Sequence, residues 1–192
     1  ALAAFVYAIL QVSTPRRAGF MGWLFATSWL SGTFWWLFIS MHTYGGLAAP
    51  LAVAAVLGLA AFLGCCYAVV VWLFRKRLPE NRLHAAFFFA ALWLIAELAR
   101  GQCWTGFPWG AIGYAHVEGP LTGLARYVGV YGMCFAAAFI AASIAMWRSD
   151  DSSNQKWWIA VAGVLMVSGG LASQRKTELN AIDARHLSKP MS

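Results

Sequence analysis

The sequence predicts an all-α membrane protein, a polytopic transmembrane helix bundle, and three observations carry that prediction. Of its 192 residues, 61% are hydrophobic and 11% charged, whereas a soluble domain carries roughly 45–50% apolar and about 25% charged residues. The seven acids and fourteen bases are too few to cover a soluble domain of this size. The apolar residues fall in long runs, not in the short alternating strands of an outer-membrane barrel. A mean hydropathy of +0.63 belongs with a chain that lives in lipid, neither a soluble enzyme nor a disordered segment.

Taken in order, the chain opens inside an apolar run, ALAAFVYAIL, so residues 1–12 read as the end of a span whose beginning is expected upstream. No signal peptide with a charged start and a small-residue cleavage site is visible. Five further stretches reach or approach the roughly 20 residues a bilayer crossing needs, at 18–40, 47–74, 83–99, 124–147 and 157–172. The second is long enough to tilt or to extend into the interface; the last is the shortest. Turn chemistry separates the early ones, at Ser13-Thr14-Pro15, Tyr44-Gly45-Gly46 and Leu78-Pro79-Glu80-Asn81. Small residues spaced four apart, Ala54 with Gly58 and Ala60 with Gly64, and the Gly129–Gly132 pair, read as packing positions.

Loop charge then orients the chain. One set of alternate loops carries Arg16, Arg17, Arg75, Lys76, Arg77, Arg82, Arg148 and Lys156, and the other only Arg100 and Arg126 before the tail. Lysine and arginine are retained on the cytoplasmic side, so the loops around His42 and at 101–123 are expected to face outward. The polar tail 173–192 is expected outside as well. The formal net charge of +7 is distributed as membrane topology demands and does not point to nucleic acid. Four cysteines form no CxxC and no neighbouring Cys/His pair, so neither a metal, a cofactor nor a disulfide framework is expected.

Chemistry-bearing residues concentrate in WLIAELARGQCWTGFPWGAIGYAHVEGPLTGLARYVGVYG. Glu97 and Arg100 close an apolar helix on its outward side and share one face three residues apart. An ion pair finishing the helix is the plain reading; a polar patch that receives a lipid headgroup or docks an outward domain is the functional one. The loop Thr105-Gly106-Phe107-Pro108-Trp109 follows. It is too apolar for a solvated linker and too broken for a span, and its rings suit the headgroup level. It is expected to lie in the interface or fold back into the bundle. Tyr114 continues it, while His116 and Glu118 lack the third partner that acid–base chemistry would need. The other outward loop carries Ser40, His42, Tyr44, Gly45 and Gly46. His42 gains functional interest only if the 101–123 loop lies beside it.

The outward SxHxYGG segment paired with ELxRG, TGFPW, Gly113-Tyr114, Pro120-Leu121 and GVYG resembles the membrane domain of bacterial apolipoprotein N-acyltransferases over most of residues 18–147. The resemblance implies a phospholipid acyl donor and an apolipoprotein acceptor in the inner membrane. It further implies an extracytoplasmic nitrilase-like domain, whose Glu-Lys-Cys triad passes the acyl chain through a cysteine thioester. It also implies that His42, Tyr44, Glu97, Arg100, Thr105, Gly106, Phe107, Pro108, Trp109 and Tyr114 handle substrate and that no residue of this chain is catalytic. Cys103 is not that nucleophile, and the tail RKTELNAIDARHLSKPMS lacks the β-branched run of a buried strand, so it is expected to be truncated or aberrant. A chain of this kind is expected to be inactive alone. The alternative class is a non-enzymatic membrane scaffold or small transporter subunit. A transporter shows ionisable residues near mid-membrane, and the sequence places none there.

Overall fold

Prolines and an asparagine set the helix starts. The computed structural model describes residues 1–102, 106–116 and 122–147. Helix α1, Leu2–Gln11, leads through an extended Val12 to α2, Pro15–Thr33, where Pro15 takes the first helical position that needs no amide donor. Phe34, with ψ of 11°, interrupts the run, and α3, Trp35–Ile39, continues into a π-helical turn, Ser40–Tyr44. Ser31 and Thr33 donate to the carbonyls of Thr27 and Trp29 at 2.7 and 3.0 Å, a back-bonding pattern that bends helices just before the break. The 18–40 stretch is therefore divided between two helices.

Helix α4 spans Ala49–Lys76, with Pro50 in its first turn. Its 28 residues extend roughly 42 Å, more than the hydrocarbon thickness. Helix α5, Arg82–Gln102, is capped by Asn81, whose Oδ1 accepts from the amides of Leu83 at 2.9 Å and His84 at 3.2 Å. A 3-10 turn at Ile112–His116 precedes α6, Thr122–Trp147, which breaks at Gly129 with φ +63°. The described residues contain no strand, and α4, α5 and Tyr127–Trp147 are long and apolar enough to cross a membrane. The 157–172 run and the 173–192 tail lie outside the described residues.

The most extensive helix contact joins α2 to α4, which run antiparallel. Glycines permit it. A Cβ on Gly22 would stand 2.9 Å from Val71, and one on Gly64 would stand 2.7 Å from the Thr27 hydroxyl. Where lipid supplies no drive between helices, such close backbone approach supplies the packing. Gly58 and Gly129 play no such part, because each faces open space; Gly129 serves the α6 break instead.

Aromatic rings fill the centre. Trp93 of α5 is 1% exposed and is surrounded by Phe5, Phe25, Trp29, Tyr67 and Phe89, with ring centroids 5.0–6.5 Å away. Large apolar side chains such as Leu51, Phe62 and Val69 on α4 point outward, as a lipid solvent requires. The architecture is a helical membrane bundle, and it brings the 106–110 loop to the end where α2 finishes and α5 finishes.

Candidate functional site

Helical spacing places Glu97 and Arg100 one turn apart, and the structure buries both. Arg100 Nη2 donates to Glu97 Oε2 at 2.7 Å with both side chains at 0% exposure. The guanidinium is then used on three more sides. Its Nε donates to the Tyr67 hydroxyl at 3.1 Å, and Nη1 donates to the carbonyls of Phe107 at 2.8 Å and Trp109 at 2.5 Å. Arginine alone offers this planar fork, so one buried cation fixes α4, α5 and the 106–110 loop together. The Phe107 amide returns a bond to the Arg100 carbonyl at 2.9 Å. The loop thus folds back onto the bundle.

Two glycines shape that loop. Gly106 at φ +65° and Gly110 at φ +76° adopt left-handed backbone that a side chain would strain. Each is also crowded: a Cβ would stand 2.5 Å from the Gly101 carbonyl oxygen and 2.5 Å from Thr33 Cγ2, respectively. Between them, Phe107 is half-buried edge-on against Phe34 at 4.9 Å, whereas Trp109 stays 60% exposed with its ring 6.0 Å from Trp36. Trp36 and Trp109 therefore present an exposed aromatic rim near a buried ion pair, while Trp35 and Tyr114 are exposed on the adjoining segments. Beneath it, the Gly113 amide donates to the buried Cys134 sulfur at 3.1 Å and ties the 3-10 turn to α6.

The sequence-predicted residues divide into two groups. Glu97, Arg100, Gly106, Phe107 and Trp109 meet; Pro108 lies within the same loop, exposed, and Tyr114 stands exposed on the adjoining turn. His42 and Tyr44 form a separate part. His42 Nδ1 donates to the Leu47 carbonyl at 2.8 Å, closing the π-helical turn, and its ring stacks on Phe38 at 5.3 Å. Tyr44 is 85% exposed. Neither has a hydrogen bond or ring contact to the Arg100 cluster among the described residues. Thr105 and Glu118 lie outside the described residues.

Tyr67, Phe34 and Trp36 belong to the site and were not singled out by sequence reasoning. The one available signal was Tyr67 itself, a phenol inside an apolar run whose hydroxyl needs a partner when buried. Chemically, the cluster can hold a loop and present rings. Among the described residues no group of three His, Cys, Asp or Glu side chains comes together to hold a metal. Among the described residues no cysteine or serine is hydrogen-bonded to Glu97, whose Oε1 has no hydrogen-bond partner among them.

The fold and this site define a helical membrane domain with an aromatic loop tied down at one end of the bundle. The model of the apolipoprotein N-acyltransferase N-terminal domain family matches residues 1–143, and the chain belongs to that family. It is 52% identical over 168 residues to an apolipoprotein N-acyltransferase of Verminephrobacter eiseniae, covering 88% of this chain and 31% of that protein. It is 44% identical over 182 residues to one from Bordetella bronchiseptica, covering 88% and 33%. Against one from Pseudomonas putida the identity is 37% over 167 residues, covering 86% and 33%. The chain spans about a third of the length of these relatives. The family and the apolar helices together make it a bacterial membrane protein.

Proposed function

We propose that this chain is the membrane-domain part of an apolipoprotein N-acyltransferase, seated in the inner membrane with the 106–110 loop facing outward. In this reading the exposed rings of Trp36, Trp109 and Tyr114 receive acyl chains from phospholipid at headgroup level. The loop then guides them, and the lipid-modified N-terminus of an apolipoprotein, toward a catalytic domain on the outward side. His42, Tyr44, Thr105, Gly106, Phe107 and Pro108 complete the substrate-handling surface, and the buried Glu97–Arg100 pair holds its loop in place. In this reading the acyl transfer itself belongs to that catalytic domain and not to residues of this chain.

One observation carries this reading: the buried Arg100 spends two donors on the carbonyls of Phe107 and Trp109. A buried charge is costly unless fully partnered, and here its partners are the backbone of an exposed aromatic loop. That is how a membrane protein presents rings rigidly at an interface. Joining the chain to the C-terminal part of the Bordetella bronchiseptica relative, in cells depleted of their own enzyme, tests it. Restored lipoprotein N-acylation supports the reading. Full expression without N-acylation, by a joined protein whose catalytic part is active in its native context, supports a non-enzymatic scaffold instead.

A further inference from the structure

The end of the bundle away from the 106–110 loop has chemistry of its own. There α1 ends, α2 begins and α4 ends, and the segment holds Arg16, Arg17, Arg75, Lys76 and Arg77. Arg75 Nε donates to the Val12 carbonyl at 2.7 Å, fixing the α1–α2 linker against α4. The Lys76 ammonium sits 4.7 Å above the Trp72 ring. These two cations are thereby engaged.

Arg16 and Arg17 are different. Both are exposed in the first turn of α2, and neither has an ion pair or hydrogen bond among the described residues. The acids among the described residues are Glu80 and Glu97, and Glu97 is paired at the other end. Glu80 lines a separate cavity with Arg82, bounded by Leu78, Pro79 and Ala85. Both arginines face a cavity of about 620 Å³, walled by the linker from Gln11 to Ser13 and by Phe20 and Met21. Two like charges side by side also oppose the α2 dipole, a cost that an anion between them removes.

The cavity is basic at its rim and apolar along its side. Paired guanidinium forks match phosphate oxygens, and Phe20, 59% exposed, offers acyl chains an apolar surface on α2. A free anion would satisfy the charges and leave that apolar wall unmatched. We propose that this cavity holds one anionic phospholipid, its phosphodiester between Arg16 and Arg17 and its chains along Phe20 and Met21. The site lies at the opposite end from the acyl-transfer surface and does not rest on that reading.

Native mass spectrometry of the purified full chain, with phosphatidylglycerol or phosphatidylcholine added, tests it. The expected result is at least tenfold preferential retention of phosphatidylglycerol, abolished in R16Q/R17Q and kept in R77Q, a cation at the same end but outside the cavity. Equal retention of the two lipids overturns the proposal. So does equal loss in R77Q, which would indicate general charge attraction, or displacement of the lipid by equimolar inorganic phosphate, which would indicate a free-anion site. If R16Q/R17Q loses helicity by circular dichroism, F20E decides, because it sets a carboxylate at the exposed rim and leaves both arginines in place. Lost preference in folded F20E supports the site, and unchanged preference contradicts it.

Discussion

Arg100 and Tyr67, 33 residues apart, meet at 3.1 Å inside the bundle, where the guanidinium Nε donates to the phenol oxygen. Helical side chains lean toward the N-terminus of their own helix, so Arg100 reaches down α5 into the core while Tyr67 reaches toward it from α4. Through this contact the aromatic core around Trp93 and the loop at 106–110 become one structure.

Breaking the pair from one side should be severe. R100A leaves the Glu97 carboxylate buried without its partner and frees two loop carbonyls, so a loss of about 3–5 kcal/mol is expected. R100K keeps the charge and loses the fork, and should fall between R100A and the parent. Thermal unfolding of the purified chain in detergent checks the order.

Removing only the phenol oxygen is milder. Y67F strands one donor of a guanidinium whose other bonds persist, at an expected cost of about 1–3 kcal/mol. The same unfolding assay should place Y67F clearly above R100A. If the two are equal, Tyr67 matters more to the core than the hydrogen bond alone accounts for.

Left-handed glycines should separate by their surroundings. G106A and G110A combine a backbone penalty of about 1–2 kcal/mol with a steric collision. G46A, at φ +67° with nothing near its missing Cβ, should show the backbone penalty alone. Limited proteolysis should find the 106–110 loop more readily cut in the first two variants and unchanged in the third.

Packing glycines and free glycines should separate too. G22V drives a side chain into Val71 and should separate α2 from α4, at the cost typical of overpacking, about 1–3 kcal/mol. G58A meets open space and gains about 0.8–1.0 kcal/mol of helix propensity, so it should be neutral or stabilising. Cysteine cross-linking between α2 and α4 reads the first effect, and the thermal midpoint reads the second.

Much of this was written in the sequence in a form that spacing exposes. The all-α bundle follows from long apolar runs, and the Glu97–Arg100 pair follows from residues three apart on one face. What lies across the fold was not legible. Nothing local to Arg100 names Tyr67 as its third partner, and nothing in Phe34-Trp35-Trp36 says that the helix breaks there and sets Phe34 and Trp36 against the 106–110 loop. The Gly129–Gly132 spacing looked like a packing face; only backbone geometry reveals that Gly129 takes φ +63° and breaks α6. Periodicity reports faces, while partners at long sequence separation are decided by tertiary packing.

The central claim is that the clamped aromatic loop delivers substrate for acyl transfer. The initial rate of N-acylation of a diacylglyceryl-cysteine peptide, by the chain joined to a catalytic domain, measures it most directly in F107A/W109A against the parent at matched membrane levels. The account predicts a rate at least tenfold lower with the catalytic cysteine still able to form its thioester. An unchanged rate with normal expression would contradict it.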